Sequence, residues 1–274
     1  MELNVLIIGD IVGRPGRMAV KELVPVLIRR DNIHFVIANA ENIAGGSGLT
    51  PHLVEEILSY GVNAITSGDH IWKKKEIIDY ISTSQKLLRP ANYPADAPGS
   101  GCHLFQLAGD YDALIAVINL QGRVFMGPNS CPFMAVDRVL EEVSSKTKII
   151  IVDIHAEATS EKIGMGWHLD GRVSCVFGTH THIQTADETI LPKGTGYITD
   201  VGMCGPYESV IGRRVDRVLS AFITGMPAAF DVAKNDVRLS GIVVTIDTLT
   251  GKALKIKRVH EKLPDQIEIP GEEE

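Results

Sequence analysis

Apolar residues fall into short runs separated by amphipathic stretches. "LNVLIIG", which ends at Asp10, has the unbroken apolar character of a buried strand. "RPGRMAVKELVPVLIRR" has helical spacing and a proline near its start, where a missing N–H is harmless; Pro25 falls where a proline kinks a helix. "IHFVIAN" predicts a second strand, ending just before Glu41, and "VNAITSG" a third, ending at Asp69. Between them "TPHLVEEILSY" predicts a helix with Thr50 as N-cap and Pro51 in the first turn.

The middle is less regular. "GCHLFQL" and "DALIAVINL" read as paired strands, and "CPFMAVDRVLEEVSS" as a helix. "KIIIVDIH" and "VSCVFGTHTH" are strong buried strands, the first ending at His155 and the second running to His180 and His182. "TGYITDVGMCG" follows as a further strand-like stretch, and "RLSGIVVTIDTLTGKALKIKRVH" predicts a β-hairpin turned around "TLTGK". The alternation predicts an α/β layered fold. We expect one domain over residues 1–264 and a solvated acidic tail over 265–274.

Asp10, Glu41, Asp69, His155 and the pair His180/His182 each follow an apolar run. Loops beyond the carboxyl ends of strands form the crevice of open α/β sheets, so five segments deliver ligand-type residues to one edge. Each has an ordinary alternative: Asp10 as a helix cap, "AENIAGG" as a turn, "GDH" as a turn with a cap, His155 as a core or helix-capping histidine. Together they predict a two-metal site with carboxylate, amide and imidazole donors, which suits manganese, iron or zinc better than calcium or magnesium.

Composition narrows the field. The 274 residues are 45% apolar, enough for one sizeable core, and the net charge of -7 excludes a broadly basic nucleic-acid footprint. An acidic protein still takes a phosphate substrate when bound metals supply positive charge. The N-terminus lacks a signal-peptide pattern, no apolar run reaches membrane-spanning length, and four dispersed cysteines read as reduced thiols; we expect a cytoplasmic protein without a membrane partner.

In order, "GDIVG", "ANAENIAGGSGLT", "SGDHIW", "DIHAEATSEK", "GTHTHIQTAD" and "ITDVGMCGP" resemble the calcineurin-like metallophosphoesterase superfamily, and within it the YmdB-like bacterial cyclic-nucleotide phosphodiesterases. The likeness spans roughly residues 3 to 260. It implies an α/β layered sandwich of central β-sheets flanked by helices, and two transition-metal ions, iron or manganese ahead of zinc. Asp10, Asn42 and His182 would hold the first, Asp69, His155 and His180 the second, and Glu41 would bridge them. His70 would be the general acid, protonating the leaving oxygen after a metal-activated hydroxide attacks phosphorus. The implied substrates are 2′,3′- or 3′,5′-cyclic nucleotides; alternatives are a phosphomonoesterase or nuclease on the same metals, or a regulatory, RNA-associated protein with weak catalysis. RNA gains no support from the charge, and a homo-oligomer is compatible with the sequence.

One departure concerns charge. The resemblance implies asparagine at position 69, where this chain has aspartate. Two divalent ions, Asp10, Glu41 and a bridging hydroxide sum to one positive charge, which an ionised Asp69 cancels. Other features are ordinary by comparison. Lys73, Lys74 and Lys75 read as a solvated helix face rather than a phosphate contact, and "AGGSG" as backbone room near the site. Asp200 reads as structural, and His34, His52, His103, His168 and His260 as bystanders. Arg123 and Asn129 lie in a loop that could reach substrate.

Overall fold

The apolar runs become the strands of two sheets packed face to face. The computed structural model describes residues 1–107, 113–229 and 231–267. In chain order the first half contains β1 (Glu2–Ile8), β2 (Asp10–Ile11), α1 (Gly13–Arg30), β3 (Phe35–Asn39), α2 (Pro51–Ser59), β4 (Ala64–Thr66) and α3 (Ile77–Thr83). The centre contains β5 (Cys102–Gln106), β6 (Leu114–Gln121), α4 (Pro132–Val143), β7 (Ile149–His155), α5 (Thr159–Leu169) and β8 (Cys175–Thr179). The rest contains β9 (Thr189–Ile190), β10 (Gly196–Ile198), β11 (Met203–Pro206), α6 (Val215–Thr224), β12 (Val237–Asp247) and β13 (Ala253–Lys262).

One sheet has the order β2-β11-β12-β1-β3-β4, with β13 on β12; the other runs β5-β6-β7-β8-β10-β9. Strand alternation divides the core into three. Val5 and Ile7 of β1 meet Ile115 and Val117 of β6, Ile149 and Ile151 of β7, and Phe177 of β8 between the sheets. Leu6 and Ile8 turn the other way, against Val20, Val24 and Leu27 of α1 and Val54 and Ile57 of α2. On the far side Ile150, Val152 and Ile154 pack with Val136 and Leu140 of α4 and Met165 and Leu169 of α5. The layers are thus helix, sheet, sheet, helix, the sandwich that the family resemblance implies.

Several details differ from the patterning. "TGYITDVGMCG" is two strands: β10 lies in the second sheet and β11 in the first, so the chain changes sheets at 199–202. Gly202 makes the crossing at φ +85, and Gly9 leaves room for it, since a Cβ there would lie 1.9 Å from the Gly202 carbonyl oxygen. Helices α3, α5 and α6 occupy stretches to which the patterning assigns no element. In α5, Gly166 allows close approach to the Tyr197 ring, where a Cβ would lie 2.5 Å from a ring carbon. Lys73 to Lys75 are exposed in a turn before α3 rather than on a helix. Of the expected tail, Ile267 packs against the α1-side core, and residues 268–274 lie outside the described residues, as does Asp112 of the expected β6 run. No helix among the described residues is long and apolar enough to cross a membrane.

Candidate metal centre

The period-two register continues past the apolar core, and this builds the floor of the site. On β3, β4, β6, β7 and β8 the residue two beyond the last inter-sheet core residue is polar: Asn39, Thr66, Asn119, Asp153 and Thr179, all fully buried. Asp153 is the hub, accepting from the hydroxyls of Thr66 at 2.5 Å and Thr179 at 2.8 Å. Burial pushes its carboxyl up to about 7. One further step along β7 gives His155, whose Nδ1 lies 3.0 Å from the Thr179 hydroxyl. Because Nδ1 faces this layer, Nε2 points up into the site.

Above the floor, donors arrive from both sheets. The Glu41, Asp69, His155 and His180 ligand atoms lie within 4.8 Å of one another. His155 Nε2 is 3.4 Å from Glu41 Oε2, 3.2 Å from Asp69 Oδ1 and 3.0 Å from His180 Nδ1. The other oxygen of Glu41, Oε1, faces Asn42, whose Nδ2 is 3.2 Å away and also 3.4 Å from His182 Nε2. His182 Nε2 in turn lies 3.7 Å from Asp10 Oδ1. The two oxygens of Glu41 therefore face two groups, Asp69/His155/His180 and Asp10/Asn42/His182, with Asn42 turning its amide NH2 to Glu41 and His182 and its Oδ1, the atom able to ligate, to His70. His182 Nδ1 donates to the Ile211 carbonyl at 2.9 Å, which leaves its Nε2 as the free donor atom.

Does this set fit metal ions? Asp10 Oδ1 is buried without a hydrogen-bond partner, which is costly for a carboxylate oxygen and is answered by a cation. Burial holds the Asp10 carboxyl above the usual range. Burial opposes ionisation of Asp69 too, but the His155 bond and the neighbouring imidazoles win and hold it well below that range. For Glu41 burial likewise opposes, and His155 and His70 again lower it. Burial would lower His155, yet Glu41, Asp69 and Asp10 raise it to about 10. His180 is lowered by burial and by His155. The cluster thus favours positive charge, and a divalent ion would satisfy the same carboxylates while leaving the imidazoles neutral as donors.

His70 sits at the rim with its side chain 27% exposed. Its backbone N–H donates to Glu41 Oε2 at 3.1 Å, and Nδ1–H donates to Asn42 Oδ1 at 2.7 Å. Its pKa is raised, first by its bond to Glu41. His70 also lines a cavity of about 240 Å³ with Glu41, Asn42, His180, His182 and Arg213.

Local geometry removes the helix-cap alternatives, whereas "AENIAGG" and "GDH" do lie in turns and His155 is fully buried. The N-cap of α1 is Val12, so Asp10 is no cap. The N-cap of α3 is Glu76 without a side-chain bond, so Asp69 does not cap it. The N-cap of α5 is Ala158, so His155 caps nothing. All eight sequence-derived residues (Asp10, Glu41, Asn42, Asp69, His70, His155, His180 and His182) come together, at the seam of two sheets rather than the edge of one. Arg123 and Asn129 are not in the wall of this cavity.

Some participants carried no sequence signal that we read. Glu157 Oε2 approaches His180 Nε2 at 3.2 Å, and Arg213 reaches the Gly46 carbonyl at 2.5 Å. Lys162 is fully buried with its Nζ 2.8 Å from Asp200 Oδ2 and 3.0 Å from the Thr181 hydroxyl. Thr181 lies between His180 and His182, both at positive φ (+92 and +64), a conformation that costs a non-glycine residue on the order of 1–3 kcal/mol unless its surroundings hold it. Asp153 was the readable one, an acid inside the apolar "IIIVDIH".

A two-sheet α/β sandwich carrying this donor set at its seam defines a fold of the metallophosphoesterase type. Comparison with known proteins agrees. The family model for YmdB-like proteins matches residues 6–259, and the chain belongs to that family. It is 49% identical over 257 residues to a 2′,3′-cyclic-nucleotide 2′-phosphodiesterase of Bacillus subtilis (strain 168), covering 94% of this chain and 96% of that one. A crystal structure of a novel phosphatase from Mycoplasma pneumoniae superposes with a TM-score of 0.89 at 34% identity, covering 96% of this chain and 94% of the other. A hypothetical protein from Thermus thermophilus also gives 0.89, at 39% identity, covering 96% of this chain and all of the other.

Proposed function

We propose that this chain is a metal-dependent phosphoric diester hydrolase acting on cyclic nucleotides, the 2′,3′-cyclic class first and the 3′,5′ class second. The observation that carries this reading is the position of Glu41 between two donor groups, with His70 beside both at the cavity rim. The B. subtilis relative's activity supports the choice of substrate. Asp10, Asn42 and His182 on one side and Asp69, His155 and His180 on the other, with Glu41 shared, would hold two iron, manganese or zinc ions, which supply Lewis acidity and an activated water.

The chain's own groups do the rest. Thr179 and Asp153 orient His155, and the Ile211 carbonyl orients His182. Asn42 and Glu41 fix the His70 ring at the rim. When the bond from phosphorus to the leaving ribose oxygen breaks, that oxygen takes a proton from His70, and the product is a nucleoside monophosphate. Arg213 adds a positive charge to the cavity wall for the anionic substrate.

The test is a substrate panel with added Mn²⁺ comprising 2′,3′- and 3′,5′-cyclic nucleotides, phosphomonoesters and short RNA. We expect 2′,3′-cyclic nucleotides to be cleaved and a chelator to abolish the reaction. Loss of a general acid is worth roughly 10²–10⁴-fold, so His70→Ala should lose that much in kcat with unchanged bound metal. Cleavage of phosphomonoesters or RNA alone would replace this reading, and cleavage of nothing would end it. Full activity in His70→Ala would remove its role as acid.

A further inference from the structure

Helix α6 turns its apolar side outward. Val215, Leu219, Phe222 and Ile223 share one face by helical spacing, and Met226 follows just beyond the Gly225 C-cap. Phe222 is 77% exposed, Ile223 81%, Met226 66%, Leu219 47% and Val215 40%. Val218 is the one residue of this helix buried against the body. A helix of ten residues is marginal in water by itself and draws its stability from a packed apolar face. Among the described residues, nothing from its own chain covers that face.

We propose that two copies of this chain pair through α6, helix against helix about a twofold axis. Three observations select a second copy. The first is area: Phe222, at the ~150–250 Å² of an aromatic side chain, and four smaller aliphatic side chains together expose on the order of 500 Å², a large part of the roughly 800 Å² that one partner gives to a standard interface. The second is charge. The chain carries -7 overall, but the charges around α6 cancel in pairs, Arg214 with Asp216 at 2.8 Å and Arg217 with Asp231 at 3.6 Å. A self-complementary contact about a twofold axis therefore brings no like charges together. The third argues against a membrane surface, which favours a polar face rich in Lys and Arg. The polar face here carries Asp216, Arg217, Ser220 and Thr224. The helix starts two residues after Arg213, so the pairing also sits next to the catalytic cavity wall.

Sedimentation velocity of the full chain at micromolar concentration tests this, alongside the variant Phe222→Asp/Ile223→Asp. Both positions face solvent in one copy, so the variant should keep the parent's circular dichroism spectrum. We expect a dimer, and a monomer for the variant. Flotation with vesicles of mixed neutral and anionic phospholipid is the companion measurement. A parent that is monomeric, whether or not it floats with vesicles, overturns the proposal. So does a variant that stays dimeric, which would place the contact elsewhere.

Discussion

Asp69 is the residue whose charge bears most directly on what the site attracts. Its Oδ1 lies 3.2 Å from His155 and 3.5 Å from His180, so it stands among the donors with its oxygens in place. The carboxylate reaches where an amide would, and what changes is one negative charge. That charge is ionised, held below the usual range by the imidazoles around it despite its burial. A phosphodiester anion entering the cavity therefore meets a less positive site. Asp69→Asn should lower KM for a cyclic nucleotide by about tenfold, about 1.4 kcal/mol, with no loss of bound metal. Steady-state kinetics beside elemental analysis checks both parts. An unchanged KM would mean that solvent screens the charge, since 36% of the side chain is exposed.

At the scale of elements, the H-x-H loop needs a support that its own residues do not supply. His180 and His182 point to different donor groups because the backbone is left-handed at both. Thr181 between them is tied through its N–H and hydroxyl to Asp200, at 3.2 and 2.5 Å, and Asp200 is neutralised by Lys162 of α5. Both charged groups are buried, and removing one partner of a buried pair costs on the order of 3–5 kcal/mol. Lys162→Met should lose that much in denaturant unfolding and should also loosen metal at the His180 side. A loss of stability with metal affinity intact would confine the pair to a packing role.

The same elements show what the sequence could and could not reveal. Donor residues were legible because each ends an apolar run, and α1, α2 and α4 because strong amphipathic spacing or a proline marked them. Helix α5 was not, because its face is made partly of Gly164, Gly166 and the buried Lys162, which break apolar spacing. Helix α6 has strong spacing, yet its apolar side faces out, so its pattern predicts a partner that one chain does not contain. The change of sheet between β10 and β11 rests on close backbone approach at Gly9 and Gly202, which apolar periodicity does not encode.

For the whole molecule, the important fact is that no single sheet owns the site. Asp10, Glu41, Asn42 and Asp69 come from strand ends of the β1 sheet, whereas His155, His180 and His182 come from the β7 sheet. Beneath them the sheets are held by apolar packing and by the polar layer around Asp153. Ions at the seam would tie the upper ends of both sheets together, which would couple metal binding to folding. A ligand that binds only the folded state, present at a hundred times its dissociation constant, stabilises by about 2.7 kcal/mol. In a protein of this size that corresponds to a rise in Tm of several degrees. We therefore expect chelator-treated protein to melt lower, and Mn²⁺ to restore the transition in a concentration-dependent way. In His155→Ala, which removes a donor of one sheet, the Mn²⁺ response should shrink while the chelator-treated baseline is compared separately. Identical melting with chelator and with Mn²⁺, in a protein that elemental analysis shows to have lost and regained its metal, would mean that the seam is already rigid. The donor cluster would then be a preformed cage, whose carboxylates are held apart from one another by the histidines between them rather than by the ions.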